Sequence, residues 1–331
     1  WHEFSARNYK QALKIGKAHM QLYPDKNASP KMLFWMGKLY ERMNSKQAAI
    51  KCYNDLLRLY PDNYYAFRAN GRKLALENGY DPGWRTSRNT AIHLLGHKPD
   101  KPYSYAELEK NFNKLIAELL EIEDFDLIMT LPEKDLFIES WIKYRQGVRS
   151  KSIVLARDGM EKLKDKPDAD DKRWQLIYPL YFVDEINRYA TYAGVDALLA
   201  LSLMREESYF NHLAVSSSNA RGLMQLLPGT AKDIARWKNL GQVSDFGLFT
   251  PETNIKLGTA YLRYTEDKVY GITVFAVAAY NGGPGAVQSW LGSIQRNDMD
   301  EFIENIPYDQ TRDYVKKVYA SYWNYKRIYK L

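Results

Sequence analysis

Apolar positions recur every three to four residues over most of the chain, and this period predicts a protein made almost entirely of helices. The first 90 or so residues read as helix pairs. From Leu33 to Pro61 the spacing fits a tetratricopeptide-like unit, with Gly37 and Tyr40 on the first helix, Ala49 and Tyr53 on the second, and Pro61 at its exit. The small side chains of Gly37 and Ala49 predict close approach of the two helices. An earlier stretch, Tyr9 to Pro24, places Ala12 as far before its proline as Ala49 lies before Pro61. Such pairs cannot bury an apolar face alone and must stack, which predicts an α-superhelix.

The pattern then breaks at Gly79-Tyr80-Asp81-Pro82-Gly83 and, more strongly, at His97-Lys98-Pro99-Asp100-Lys101-Pro102. Tyr105 to Ile122 is predicted helical, with Leu108, Phe112, Leu115 and Leu119 on one face. Leu131-Pro132-Glu133-Lys134 starts another helix, and Lys151 to Leu163 continues the pattern. The charged, proline-containing stretch from Lys164 to Lys172 is the preferred domain boundary. Beyond it, Asp184 to Glu207 is helical with a junction near Gly194, and Thr250-Pro251-Glu252 opens a helix that ends before Gly271. Ile272 to Tyr280 is apolar nearly all round, which predicts a buried helix stopped by Gly282-Gly283 and followed by one starting at Pro284. Long β patterns are absent; Asn211 to Leu223 suits a small hairpin. The expected fold class is mainly α, divided into a repeat region (1–95), a helical linker region (96–167) and a third domain (168–331).

Composition narrows the function. The 331 residues are 45% hydrophobic and 14% aromatic, enough for large cores. The most apolar run, Val195 to Met204, is ten residues long and contains Asp196, whereas a membrane helix needs about 20. The chain opens on Trp1 instead of Met, which reads as a processed or truncated product whose targeting signal is not in this sequence. Its single cysteine, Cys52, excludes an internal disulfide and sits in a helical pattern as a small hydrophobe. The net charge of +7 is uneven: residues 168–331 carry 18 Lys and Arg against 19 Asp and Glu, leaving 29 against 21 for residues 1–167. A basic helical half fits a nucleic acid, an acidic glycan polymer, or simply a solvated lysine-rich surface.

The candidate chemistry sits in the last domain. Glu207-Ser208 ends a long apolar helix. Gly222-Leu223-Met224-Gln225 then supplies a glycine-hinged loop with an amide, and Ala279-Tyr280-Asn281-Gly282-Gly283 supplies a tyrosine and an asparagine. A lone acid among neutral hydrogen-bonding groups suits proton delivery to a glycosidic oxygen. Metal binding fits poorly, since the local stretch has one histidine (His212), no cysteine and few further carboxylates. A serine hydrolase fits no better, for want of Gly-x-Ser-x-Gly. A free Glu titrates near 4.3, and an apolar pocket raises this to about 6. Neighbouring Glu206 points about 100° away on the helix, so the two acids do not face one cleft.

These segments, with SSSNARGLMQ from Ser216 to Gln225, Gly258-Thr259-Ala260-Tyr261-Leu262, AYNGGPG from Ala279 to Gly285, Glu304-Asn305-Ile306-Pro307-Tyr308 and Thr311-Arg312-Asp313-Tyr314-Val315, occur in the order found in the soluble lytic murein transglycosylases of family 1. The chain resembles that family over about 110 residues. Asn219 departs from it, standing where the family usually has Gly; Asn tolerates a left-handed backbone. The resemblance implies an α-superhelix ahead of a lysozyme-like α+β domain, no metal or cofactor, and cleavage of the β-1,4 bond between N-acetylmuramic acid and N-acetylglucosamine. Glu207 would act first as acid and then as base, closing a 1,6-anhydro ring. By the same resemblance Ser216, Gln225, Tyr280, Asn281, Glu304 and Met224 line the glycan site, with Leu227 beside them. Ser208, Gly222, Gly282, Tyr308 and Arg312 shape the motif. For Asn281 a helix-end cap, for Glu304 a salt bridge to Arg312, and for Met224 and Leu227 a place in the core are equal alternatives. The implied partners are peptidoglycan strands and proteins of wall synthesis or secretion, outside the cytoplasm, not nucleic acid. Two other readings remain open: a hydrolytic muramidase or chitinase drawing a second acid from Asp245, Glu252 or Glu304, and a glycan-binding scaffold without activity.

Overall fold

A computed structural model describes residues 1–23, 29–81, 114–132, 134–294 and 298–331. The strong break at 97–102, Pro24, and the first half of the helix expected from Tyr105 lie outside the described residues. The chain packs as two compact units, the first made of Trp1–Arg85 with Ser293–Trp323 and the second of Thr86–Gly292 with Asn324–Leu331. The packing therefore places 293–323 with the repeat helices, whereas the sequence division runs 168–331 as one stretch.

In the first unit the helices Tyr9–Leu22, Ser29–Arg42, Lys46–Leu59 and Tyr64–Asn78 pack each on the next. The Leu33 to Pro61 pair forms as the spacing predicts. Gly37 lies against the Tyr53 ring so closely that a Cβ there would collide with it, and Ala49 and Tyr53 are fully buried. Loss of side-chain volume at Gly37 is what lets a tyrosine fill the helix interface. Residues 293–323 add two elements, Met299–Glu304 and most of Asp309–Tyr329. Charge anchors the first of these to the repeats. Arg68, with no exposed surface, donates from Nε to Asp300 at 2.6 Å and from its terminal nitrogen to Asp81 at 2.7 Å. Lys38, equally enclosed, bonds Asp300 at 3.2 Å and also pairs with Asp298. Burial alone would raise the Asp300 carboxyl, but Arg68 and Lys38 outweigh it and hold it well below the ordinary carboxylate range.

In the second unit the helix Lys114–Glu121 buries Ile116, Leu119 and Leu120. Of the face expected here, Leu119 is buried while Leu115 is half exposed, Ile116 being buried in its place. The next long helices are Leu136–Arg145, capped by Asp135, and Arg149–Lys162. The core of the unit is Ala197–Ser208, whose residues from Ala197 to Arg205 are all buried. Asp196 caps it, its carboxylate accepting from the Leu199 N–H at 2.8 Å. Gly194, at φ +73°, ends the preceding helix Val183–Ala193. The helix Pro251–Lys268 starts at Thr250 as expected, but the Thr250 side chain makes no capping bond; proline in the first turn already lacks one of the orphan N–H groups. Thr273–Gly282 is buried from Val274 through Tyr280 and packs on Pro251–Lys268. The hairpin expected from Asn211 to Leu223 is reduced to two antiparallel bridges, Val215 with Arg221 and Arg221 with Leu226. No helix of the described residues is long and apolar enough to cross a membrane.

Candidate active site

Glu207 lies half-buried in the last turn of Ala197–Ser208, where the helix leaves the core. The turn is fixed on both sides. The Ser208 hydroxyl donates to the Leu223 carbonyl at 2.8 Å, tying the helix end to the glycine-hinged loop. Tyr209 and Phe210, both with left-handed φ, then turn the chain sharply away. Glu206 takes the other face, paired with Arg205 inside the unit. The Arg205 guanidinium lies 4.3 Å from the Tyr178 ring centroid and donates to the Ile177 carbonyl at 2.9 Å. One carboxylate of the pair is thus committed to structure, leaving Glu207 as the acid presented by this helix.

The loop from Ala214 to Leu226 is built by its own polar side chains. Ser216 closes a turn, its Oγ accepting from the Ala220 N–H at 3.0 Å. Asn219 takes φ +65°, the conformation expected of a glycine substitute, and accepts from Arg221 at 3.1 Å. Gln225, at φ +46°, donates its amide to the Gly222 carbonyl at 2.9 Å and the Ala214 carbonyl at 3.2 Å. Gly222 has φ +76°, and a Cβ there would meet the Leu248 carbonyl oxygen and the Asn254 amide. Both obstacles are fixed, so Gly222→Ala should cost about 3 kcal/mol in urea unfolding, adding left-handed strain to a backbone collision. A loss under about 0.5 kcal/mol would show that the loop rearranges freely.

Asn254 is the residue that sequence reasoning missed. Fully buried, it accepts from the Met224 N–H at 2.7 Å and donates to the Leu248 carbonyl at 2.8 Å and the Arg221 carbonyl at 3.0 Å. It uses its full amide to hold the loop against Pro251–Lys268. The available signal was its position, next to Ile255 and in the first turn after Pro251: a polar residue on a face that must be buried. Tyr261, quoted within its motif but given no role, is the second omission.

Tyr280 and Tyr261 complete the surroundings of Glu207. Their ring centroids are 4.8 Å apart, and the buried Tyr280 hydroxyl donates to the Met224 carbonyl at 2.9 Å. Burial first, and then the Glu207 charge, push the Tyr280 hydroxyl well above its usual value. Burial, Tyr264 and Glu207 also raise the Tyr261 hydroxyl. Both phenols therefore remain protonated near Glu207, and the Tyr280 hydroxyl serves as a donor to Met224. Asn281 sits half-buried in the last turn of Thr273–Gly282. The left-handed φ at this helix end belongs to Gly283 (+83°), not to Gly282.

Other expected site residues are placed elsewhere. Met224 has no exposed surface, and its thioether fills the space over Gly258, so of its two alternatives the structure shows the core. Leu227 is 45% exposed. Glu304 belongs to the first unit, where its buried carboxylate accepts from the Tyr65 hydroxyl at 2.6 Å and pairs with Lys31 at 2.7 Å and Lys316 at 2.9 Å. Burial pushes that carboxyl up, but the two lysines outweigh it and hold it below its usual value. It does not pair with Arg312, which instead donates to the Ile306 carbonyl at 3.0 Å and to Asp309. Tyr308 is half exposed, its carbonyl accepting from the Arg312 N–H.

Residues 184–303 match the family model described as the Transglycosylase SLT domain. The soluble lytic murein transglycosylase of Escherichia coli K12 is 40% identical over 161 residues, 46% of this chain and 25% of that protein. The membrane-bound lytic murein transglycosylase C of Yersinia pestis (strain Pestoides F) is 34% identical over 182 residues, 49% of each. The structure is also similar to that of the 70 kDa soluble lytic transglycosylase from Escherichia coli, with a TM-score of 0.63 and 26% identity over 92% of this chain and 47% of that one. The chain spans between a quarter and a half of the length of these relatives. The fold class is that expected from the sequence: mainly α, an α-superhelical repeat region followed by a lysozyme-like α+β domain.

Proposed function

We propose that this chain, which carries a transglycosylase SLT domain over residues 184–303, cleaves peptidoglycan as a lytic transglycosylase with Glu207 as its single catalytic carboxylate. Within this reading the domain 168–331 carries the chemistry, with the repeat region 1–95 and the linker region 96–167 ahead of it. The substrate places the protein in the periplasm or otherwise outside the cytoplasm, with peptidoglycan strands as its principal partner.

One observation favours this over hydrolysis. A hydrolase needs a second carboxylate to activate water or hold the sugar cation, and all three candidates are engaged elsewhere. Asp245 is held by Lys232 at 2.8 Å and Arg221 at 3.4 Å, and Lys232 first among these lowers its carboxyl below the usual range. Glu252 accepts from the Tyr189 hydroxyl at 2.5 Å beside Arg188. Glu304 is neutralised by two lysines in the other unit.

A single acid suffices if the nucleophile comes from the substrate. Glu207 gives its proton to the glycosidic oxygen as the bond to C1 of N-acetylmuramic acid breaks, and the acetamide carbonyl of that sugar supports C1. The resulting Glu207 carboxylate accepts the C6 hydroxyl proton as O6 bonds to C1. No water is consumed, the acid is regenerated, and a 1,6-anhydro end results. In this reading Ser216 and Asn281 serve as partners for the acetamide and ring hydroxyls. Gln225 and Tyr280 act by holding the loop, with Gly222, Ser208 and Asn254. The test is release of soluble products from purified peptidoglycan, read by mass: the proposal requires ends one water lighter than hydrolysed ones.

Tyr280→Phe follows from the same geometry. It leaves the Met224 carbonyl without its buried donor, at about 1–3 kcal/mol. We expect activity to fall about tenfold while the unfolding midpoint moves only a few degrees. Unchanged turnover would remove the hydroxyl from the account.

A further inference from the structure

Four aromatic rings run in sequence away from Glu207. Tyr280 and Tyr261, whose hydroxyls feel the Glu207 charge, have centroids 4.8 Å apart. Tyr264, one turn along the same helix, lies 6.1 Å from Tyr261 with the rings 19° from parallel. Trp237, the last residue of Pro228–Trp237, lies 5.1 Å from Tyr264 at 30°. The first three rings are buried or half-buried, whereas Trp237 is 53% exposed. The row thus leads from the acid's surroundings to an indole backed on one side by Tyr264 and open to water.

From this continuity we propose that Trp237, supported by Tyr264, is a stacking platform for a further sugar ring of the glycan strand whose bond Glu207 cleaves. The inference rests on the function proposed above. An equatorially substituted sugar presents a face of C–H groups, which are apolar and slightly positive. An indole face is apolar and electron-rich, and its N–H offers a donor at the rim for a hydroxyl or acetamide. Stacking would remove from water the apolar surface that Trp237 leaves exposed. Charge points to the same polymer: the Lys268 ammonium lies 5.4 Å from the Tyr264 centroid, so a cation flanks the row where a strand bearing lactyl and peptide carboxylates would pass. A protein partner for the same indole is the competing occupant, and the test separates the two.

The test uses the full chain carrying Glu207→Gln, so that strands bind without being cut. Binding of long peptidoglycan strands and of a tetrasaccharide fragment is measured by titration, with and without Trp237→Ala or Trp237→Phe. The platform predicts that Trp237→Ala weakens long-strand binding about tenfold. The tetrasaccharide, spanning only the sugars around Glu207, should change less than about twofold, and Trp237→Phe should retain most of the long-strand affinity. The proposal is overturned if Trp237→Ala binds long strands like its parent, which would leave the indole to another partner. It is also overturned if both lengths weaken alike, which would make Trp237 a prop for the Glu207 site. If the Glu207→Gln parent binds neither ligand, the proposed function itself fails and the platform goes with it. The other outcomes leave that function standing.

Discussion

Replacing Glu207 by Gln is expected to reduce release of soluble products from peptidoglycan at least a thousandfold while leaving glycan affinity within about threefold of the parent. General acid and base catalysis each contribute about 10² to 10⁴, and here one carboxylate performs both steps in succession. The amide keeps the volume and most hydrogen-bonding capacity of the acid, so the helix end held by Ser208 and Leu223 should survive. Glu206→Gln is the internal control. Glu206 is paired with the buried Arg205, so its replacement should lower stability through the unbalanced guanidinium yet leave the pH dependence of turnover in place. A Glu207→Gln variant retaining more than about a tenth of parental turnover would place the acid elsewhere.

The second large effect concerns stability. Arg68→Met should destabilise the protein by about 3–5 kcal/mol, because it leaves the buried Asp300 with Lys38 alone among the described residues and takes from Asp81 its 2.7 Å partner. Arg68 and Asp300 are both enclosed, and the bonds of 2.6 Å to Asp300 and 2.7 Å to Asp81 disappear together. Combining Arg68→Met with Asp300→Leu should recover part of the loss, since the buried carboxylate is then gone, Lys38 keeps Asp298 and Asp81 keeps the more distant Arg72. The acid sensitivity has a definite sign. The folded Asp300 carboxyl titrates below its unfolded value, so its contribution is complete above about pH 4. It is lost only as the pH falls below that toward the depressed folded value. Glu304 adds a second contribution of the same sign. Urea unfolding at pH 7 and pH 3 reads both effects: the parent should lose stability at pH 3, and Arg68→Met should lose less. Equal losses in the two proteins would show that the Arg68 pairing does not drive the acid response.

Much of this organisation is legible in the sequence, for reasons that differ by element. The Leu33 to Pro61 pair and the helix Ala197–Ser208 are readable because their apolar period, small residues and caps agree. The bonds that shape the loop are less so. That Gln225 and Tyr280 spend their donors on backbone carbonyls depends on left-handed turns at Asn219, Gly222 and Gln225, which sequence spacing does not encode. The Met224 position was ambiguous because a methionine beside a glycine-hinged loop suits a binding wall as well as a core; the absence of a side chain at Gly258 decides it. Glu304 was harder still. Its lysine partners, Lys31 and Lys316, lie 273 residues before it and 12 after it in sequence, and no local pattern announces such a pairing. The helix Lys114–Glu121 shows a finer limit: Leu119 is buried as expected, but Leu115 is half exposed and Ile116 is buried in its stead.

The central claim is that one carboxylate and the substrate's own hydroxyl suffice. It is tested most directly by digesting peptidoglycan with the purified chain in water enriched in oxygen-18 and weighing the released muropeptides. The account predicts anhydro ends, one water lighter than hydrolysed ends and free of the label. Labelled reducing ends would contradict it, for they would mean that an activated water attacks C1 and that a second acid or base completes the site.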